Sequence, residues 1–434
     1  MRQFFCNQGS ARCLCRRFPG KERSLLTKKR KTVVRLILFI LAVVVAVGAF
    51  TAGILGLGHR ESGYQDVEFT DQAKVEIYGS GLHLKYYAEG SSGEIRMKIK
   101  EVQNMYSQAA LRAWRLTSAD TETPGIVNLA WLNSHPGESG TLDPDLYRIL
   151  EDALEKTARG EGYSLFAGPL HREWQDLRYL DEPQPFDPVM NENEAGRLAR
   201  LTALVNEPAS FSLALNAEDR RACLTVAPDA ARTLSDLETD APILDLNLLR
   251  DAYMLRIIAR DLVSTGWTEG YLYTDSGLSV MLEAEGTAAY GIWYAAGDTA
   301  AECGETTLAS PSAYCQWTAF HPEGKRYGYY AVQDGAAVRL RHPLTDARTG
   351  GFGDLAMTVS VGCSQEEIVE AAYRGAVLFF QRDREALRAC TADWPEGLFL
   401  AFTLQDEPGV LYTLPSMTER IAMNEKAGME LRAW

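Results

Sequence analysis

The clearest hydrophobic spacing in the chain predicts two amphipathic helices. In residues 143–160, apolar positions recur every three to four residues, Asp143 and Pro144 form a favoured start, and Gly160 a favoured end. In residues 245–267, apolar residues repeat at the same interval, at Leu248, Ala252, Leu255, Ala259 and Leu262. Each segment should therefore bury one face against a core.

Shorter patterns predict strands around these helices. We predict a strand pair or bent strand at 73–90 and a strand or helix at 93–109. A hairpin is predicted at 270–286, with its turn at Asp275–Gly277, and a second hairpin at 397–414. Between them we predict a strand at 355–364 and a helix at 364–380 that begins with a Ser364/Glu367 capping box. No repeat or low-complexity break divides them, so we predict one α+β domain over residues 68–434.

The N-terminal part has a different pattern. Residues 36–57 are 22 consecutive positions without a charge, long enough for a helix that spans a bilayer. The basic segment KKRKTVVR precedes them, which predicts a cytoplasmic tail (1–35), a single transmembrane helix (36–57), a linker (58–67) and an extracytoplasmic domain in a cell-membrane protein. A cleaved signal peptide is the alternative, although its apolar core would be shorter.

Charge supports this division and excludes one class of partner. The 434 residues carry a net charge of −14, but residues 1–35 hold 11 of the 44 basic residues and one of the 58 acidic ones. The remaining 33 basic and 57 acidic residues make the predicted exported part strongly acidic. Such a domain repels phosphate backbones, so we expect no nucleic-acid partner.

Common catalytic motifs are missing from the sequence. There is no P-loop, GxSxG, HExxH or paired CxxC, and the six histidines are scattered. Five cysteines fall in the predicted exported part, of which Cys303 and Cys315 are close enough to pair across one loop or to remain free. The residues alone thus indicate an α+β domain without an obvious site.

Five segments carry weak motifs in one order along the chain. They are Tyr78-Gly79-Ser80, GYSLFAGPLHREW (162–174), DLNLLRDAY (245–253), TDSGL (274–278) and RHPLTDARTGG (341–351). In this order they resemble the ApbE family of FAD:protein FMN transferases. The family's corresponding motifs are Met-Gly-Thr, Gly-x-Phe-Asp with Gly-Pro-Leu-x-x-x-Trp, Asp-Leu-Gly-Gly-x-x-Lys-Gly-Tyr, Asn-x-Gly-Gly-Asp and His-Ile-x-Asp-Pro-x-Thr-Gly. The resemblance covers about residues 70–415 and implies a single ApbE-like, T-fold-like domain.

The resemblance also implies roles for particular residues. His342 would act at the reacting phosphates, shifted by one position because Pro343 occupies the family's histidine, and Asp346, Thr349 and Gly350 would lie beside it. Ser80 and Tyr253 would contact the flavin nucleotide. Simpler interpretations stay open, since Thr349-Gly350 can be a turn, Asp346 a cap and Tyr253 a core residue.

The most informative departure concerns magnesium. The family's Ala-Asp-Ala-x-x-Thr helix, whose Asp and Thr hold the metal, here reads VEAAYR (369–374), which puts Glu370 and Arg374 at the ligand positions. Residues four apart on a helix are neighbours, so we expect an ion pair instead of a metal site.

Three hypotheses follow from this pattern. The favoured one is a degenerate flavin transferase that keeps the fold as a ligand- or partner-binding module. The alternative is an active enzyme that uses FAD and magnesium to attach FMN to Ser or Thr of an exported protein. The third is an unrelated surface or solute-binding domain whose resemblance is accidental.

Overall fold

The computed structural model describes residues 62–434 except 297–298, 322–323 and 336. The predicted tail and transmembrane helix lie outside the described residues. Within that described part, none of the helices combines the length and the apolar character needed to cross a bilayer. Ser62–Trp434 forms one compact unit.

Ten α-helices are formed within the described residues. They are α1 (Asp71–Glu76), α2 (Ser92–Thr117), α3 (Leu129–Ser134), α4 (Pro144–Ala158), α5 (Gly168–Arg178), α6 (Glu192–Asn206), α7 (Pro228–Asp236), α8 (Arg250–Ser264), α9 (Ile368–Phe379) and α10 (Arg384–Ala392). The Asp143 carboxylate caps α4 by accepting a hydrogen bond from the Asp145 amide, and the predicted Ser364/Glu367 capping box precedes α9. Both predicted helix starts are confirmed.

The strands form one large and three small sheets. In chain order they are β1 (Gly63–Asp66), β2 (Leu82–Ala88), β3 (Gly140–Thr141), β4 (Phe211–Asn216), β5 (Arg221–Val226), β6 (Gly270–Thr274), β7 (Leu278–Met281), β8 (Thr287–Ala296), β9 (Thr299–Ala309), β10 (Ser312–Thr318), β11 (Tyr330–Asp334), β12 (Ala337–Arg341), β13 (Ala356–Ser364), β14 (Phe399–Leu404), β15 (Val410–Thr413), β16 (Ile421–Met423) and β17 (Glu430–Ala433). The large sheet has the order β1-β2-β6-β7-β10-β13-β14-β15-β17, antiparallel except between β15 and β17.

Helices cover one face of the large sheet. The side chains of α2, α8 and α9 pack against β2, β6, β7, β10 and β13, and the apolar stripe of α8 is buried as predicted. On the opposite face, the β8–β9 hairpin lies over β10 and β13. A second, smaller core joins α5, α6 and the loop before β13 through residues such as Trp174, Leu201 and Phe352. This small core positions the 339–351 loop.

Some sequence predictions need correction. Residues 71–76 form a helix, so the strand pair or bent strand predicted at 73–90 is reduced to the single strand β2. The predicted 245–267 helix begins only at Arg250, because Asn247 adopts a left-handed conformation (φ 44°) in the preceding turn. Gly63–Asp66, assigned above to the linker, pairs with β2 as an edge strand. Cys303 and Cys315 are both free thiols rather than a disulfide.

Candidate functional site

The loop that resembles the phosphate-binding motif folds into a tight turn. The Gly350 amide donates to the Asp346 carbonyl (2.9 Å), and Gly350 has a φ of 69°, a conformation that glycine adopts without strain. The Trp174 indole donates to the Gly350 carbonyl at 2.7 Å, and a Cβ on Gly350 would collide with the Thr202 hydroxyl. Packing alone therefore accounts for the Thr349-Gly350 pair.

The Asp346 carboxylate in this turn is already occupied by hydrogen bonds from Arg348. Asp346 is 1% exposed, and its carboxylate accepts from the Arg348 guanidinium in a two-pronged contact (3.0 and 3.1 Å) and from the Arg348 amide. Thr349 is exposed, and its hydroxyl accepts from Arg382 at 3.0 Å. The two side chains are thus held by arginines from their own surroundings.

His342 lies in the interior of the domain. Its ring has no exposed surface and packs edge-on against Phe352 and Phe379. The Leu344 amide donates to Nδ1 (3.3 Å) while Nε2 faces the Gly353 carbonyl (3.5 Å), which places the hydrogen on Nε2. Burial lowers the pKa of His342 to about 3, so the imidazole is neutral at physiological pH. This placement favours a structural role.

Glu370 is surrounded by three cations. Arg374 donates to Oε1 at 2.8 Å, Arg159 donates to the same oxygen at 2.9 Å, and Lys156 lies 3.2 Å from Oε2. Burial by itself would raise the pKa of Glu370, but these three cations hold it below its ordinary value. The ion pair expected between Glu370 and Arg374 is therefore present, with two further partners.

The cluster continues into a chain of charged groups. Lys156 is 3% exposed and lies 2.7 Å from Asp152, whose other oxygen accepts from the Tyr253 hydroxyl at 2.6 Å. On the other side, Glu161 lies 3.8 Å from Arg374 and accepts from the Tyr373 hydroxyl. Tyr253 is fully buried, so it joins this network as a core residue.

These residues do not fit the magnesium that the resemblance implies. A hard dication needs several free oxygen ligands, whereas both oxygens of Glu370 already contact cations. A guanidinium at Arg374 adds charge repulsion where an oxygen donor is required. Among residues 62–434, apart from the undescribed gaps, no group of three His, Cys, Asp or Glu side chains is placed to hold a metal.

Ser80 belongs to a separate group near the start of β2. Its hydroxyl accepts from the Leu82 amide (3.4 Å), and the next carbonyl, of Gly81, accepts from the Asp275 amide. In the adjoining turn, Ser276 donates to Asp251 at 2.6 Å. Desolvation raises the pKa of Asp251, and the position where the resemblance has a lysine carries a partly buried carboxyl group.

The structure thus brings the predicted residues together only in part. Tyr253, Glu370 and Arg374 share one network, whereas Asp346 forms its ion pair with Arg348 inside the separate turn. Lys156 and Arg159, which complete the network, were missed by sequence reasoning. The one sequence signal for Lys156 was its position three residues after Ala153, on the apolar face of α4.

A large cleft among the described residues lies elsewhere. It has a volume of about 1020 Å³ and is bounded by the face of the large sheet opposite the helices and by the β8–β9 hairpin. Of the predicted motifs, only the turn at 274–277 reaches it, and Ser80, Tyr253, His342, Asp346 and Glu370 are absent from its walls. The motif residues therefore do not surround this cleft.

Comparison with known proteins identifies the fold. No family model and no curated protein matches the sequence. Among solved structures, the ApbE protein from Thermotoga maritima has a TM-score of 0.55 at 13% identity, covering 78% of this chain and 95% of that one. The flavin transferase ApbE from Vibrio cholerae has a TM-score of 0.52 at 13% identity, with 80% and 94% covered.

A third structure gives the same result. The flavinyl transferase ApbE from Pseudomonas stutzeri, in its apo form, has a TM-score of 0.52 at 14% identity, covering 83% of this chain and 98% of that chain. The described domain therefore has the ApbE fold, which confirms the resemblance at the level of the fold. At these identities the likeness establishes the fold and leaves the activity to be argued from the site.

Proposed function

We propose that the chain is a divergent ApbE-like protein that has lost flavin transfer and keeps the fold as a module for binding a ligand or partner. The observation that carries the proposal is the contact of Glu370 with Lys156, Arg159 and Arg374. Catalysis of phosphoryl-type transfer rests on positioned cations that stabilise developing charge. In this chain the position at which the resemblance puts magnesium is filled by protein cations.

Those protein cations do not substitute for the metal. Lys156, Arg159 and Arg374 are matched by four carboxylates, those of Asp152, Glu155, Glu161 and Glu370. A pyrophosphate would have to displace one of these acids, because no positive charge is left over. His342, which the resemblance would place at the reacting phosphates, is buried and neutral. Both chemical requirements of transfer are therefore unmet.

The proposal includes a location and a ligand class. The uncharged segment 36–57 after a basic tail supports a single-pass membrane anchor with the ApbE-like domain outside the cell. A flavin nucleotide such as FAD is the ligand that the fold suggests, and an exported protein is the partner it suggests. Addition of protease to intact cells should digest the domain and leave the N-terminal tail protected.

An assay for AMP release tests the loss of transfer. The full-length chain in detergent is incubated with FAD, magnesium and a Ser/Thr-containing acceptor peptide, and AMP and flavin-labelled peptide are quantified by chromatography. The flavin transferase from Vibrio cholerae serves as the positive control. We expect FAD to remain intact with the present chain. AMP release together with covalent flavin would establish the alternative, an active FAD:protein FMN transferase.

A further inference from the structure

Several aromatic side chains line the large cleft on the open face of the sheet. Tyr271 and Tyr273 project from alternate positions of β6, Tyr64 lies beside them on β1, and Trp293 stands on the opposite wall formed by β8. Trp293 is 43% exposed and Tyr64 50% exposed, so both keep accessible ring surface. Large exposed rings in one cavity are a common feature of ligand sites.

The cleft has little net charge. Lys85 and Asp275 line it, but Lys85 lies 3.6 Å from Asp66 and Asp275 lies 2.9 Å from His83. Most other described lining residues are neutral, including Ser279, Thr287 and Gln316 on its walls. A phosphate group would find no unmatched cation among the Lys and Arg residues described here, which favours an uncharged ligand.

The ring geometry disfavours a flat heterocycle. Tyr271 and Tyr273 are 5.8 Å apart at an angle of 37°, and Tyr64 meets Tyr271 at 5.6 Å and 62°. Two nearly parallel pairs, Tyr290 with Tyr314 at 4.9 Å and His83 with Tyr273 at 4.7 Å, are stacked with no space between their rings. The tilted rings therefore offer separate faces at different angles, which suits a chain of rings that rotate relative to one another.

Polar groups on these rings are available for a ligand. Within the described residues, the hydroxyls of Tyr271 and Tyr273 and the indole N–H of Trp293 have no hydrogen-bond partner, whereas Tyr64 donates to Glu283. Each unpartnered group can contribute a hydrogen bond to the rim of a bound ring. The walls thus combine apolar faces with hydroxyl and N–H donors at their edges.

We propose that this cleft binds an uncharged oligosaccharide. A pyranose ring has one apolar face of C–H groups and a rim of hydroxyls, which matches the rings and donors of the cleft. Successive sugars are rotated about their linkages, as the Tyr64, Tyr271 and Tyr273 rings are to one another. The site adds to the proposed function a ligand class that does not depend on flavin chemistry.

Isothermal titration of the full-length chain tests the proposal. The probes are hexaoses of glucose and of N-acetylglucosamine, with riboflavin as the flat-ring comparison. We expect saturable binding of one hexaose, with Kd raised at least about tenfold, or ~1.4 kcal/mol, by Tyr271→Ala and by Trp293→Ala. Tyr78→Ala removes an 89% exposed tyrosine outside the cleft and should leave Kd unchanged.

Two results would overturn the oligosaccharide site. One is the absence of saturable hexaose binding while circular dichroism shows a folded chain. The other is hexaose binding that both cleft variants leave unchanged. These outcomes are separate from the AMP assay, because the loss of transfer would stand even if the cleft bound no sugar.

Discussion

Removing the charge of Glu370 gives a quantitative test of the cation cluster. Glu370→Gln keeps the size and shape of the side chain but leaves Lys156, Arg159 and Arg374 without their common carboxylate. Arg159 and Arg374 can turn toward Glu155 and Glu161, whereas Lys156 is 3% exposed and retains only Asp152. Most of the loss of folding stability should therefore come from the buried charge of Lys156.

The size of the effect follows from the exposure of the groups. The Glu370 side chain is 26% exposed, so its contacts are worth more than those of a surface pair and less than those of a fully buried one. Hydrogen bonds to charged groups contribute about 1.5–3 kcal/mol. We expect Glu370→Gln to lower the free energy of unfolding by about 2 kcal/mol at neutral pH.

Urea unfolding followed by tryptophan fluorescence measures this difference. Glu366→Gln is the matched control, since Glu366 is exposed and should change stability by less than about 0.5 kcal/mol. The pKa of Glu370 is lowered in the folded state, so its contribution is complete above the ordinary glutamate value of 4.5 and is lost as the pH falls through the folded value. Equal stabilities of the two variants at pH 7 would refute the reasoning.

Three further predictions concern the turn, the buried histidine and the thiols. Gly350→Ala should destabilise the protein by about 2 kcal/mol in urea unfolding, because φ is positive and the added methyl meets Thr202, while Gly351→Ala should have little effect. The imidazole of His342 should show no titration by NMR between pH 7 and 5. Diethyl pyrocarbonate should modify the partly exposed His83 and spare His342. The part of the folding stability that depends on neutral His342 is complete above pH 6.5 and is lost as the pH falls toward 3. Iodoacetamide added to the denatured chain without reductant should alkylate Cys223, Cys303, Cys315, Cys363 and Cys390, and an intact Cys303–Cys315 bridge in mass spectrometry would contradict the structure.

Elements with strong local signals could be predicted from the sequence. The Asp143-Pro144 start of α4, the capping box before α9 and the Asp275–Gly277 hairpin turn all appear where local chemistry puts them. The segment before β2 was predicted wrongly because alternation over a few residues does not distinguish a short helix from a strand. There, packing of α1 against α2 decides the conformation.

The site was harder to predict, because it depends on contacts between distant segments. The pairing of Glu370 with Arg374 follows from helical spacing, but Lys156 and Arg159 lie more than 200 positions earlier and reach Glu370 only through the packing of α4 beside α9. Burial of His342 likewise depends on Phe352 and Phe379. Spacing within one helix is visible in a sequence, whereas burial and charge from other elements are not.

Calorimetric titration of magnesium into the full-length chain shows whether Glu370 still binds the metal. Because Glu370 is held by three cations, we expect no saturable heat of binding in the millimolar range, either for the native chain or for Glu370→Gln. Stoichiometric magnesium binding by the native chain that disappears in Glu370→Gln would show that Glu370 remains a metal ligand and would refute the proposed loss of flavin transfer.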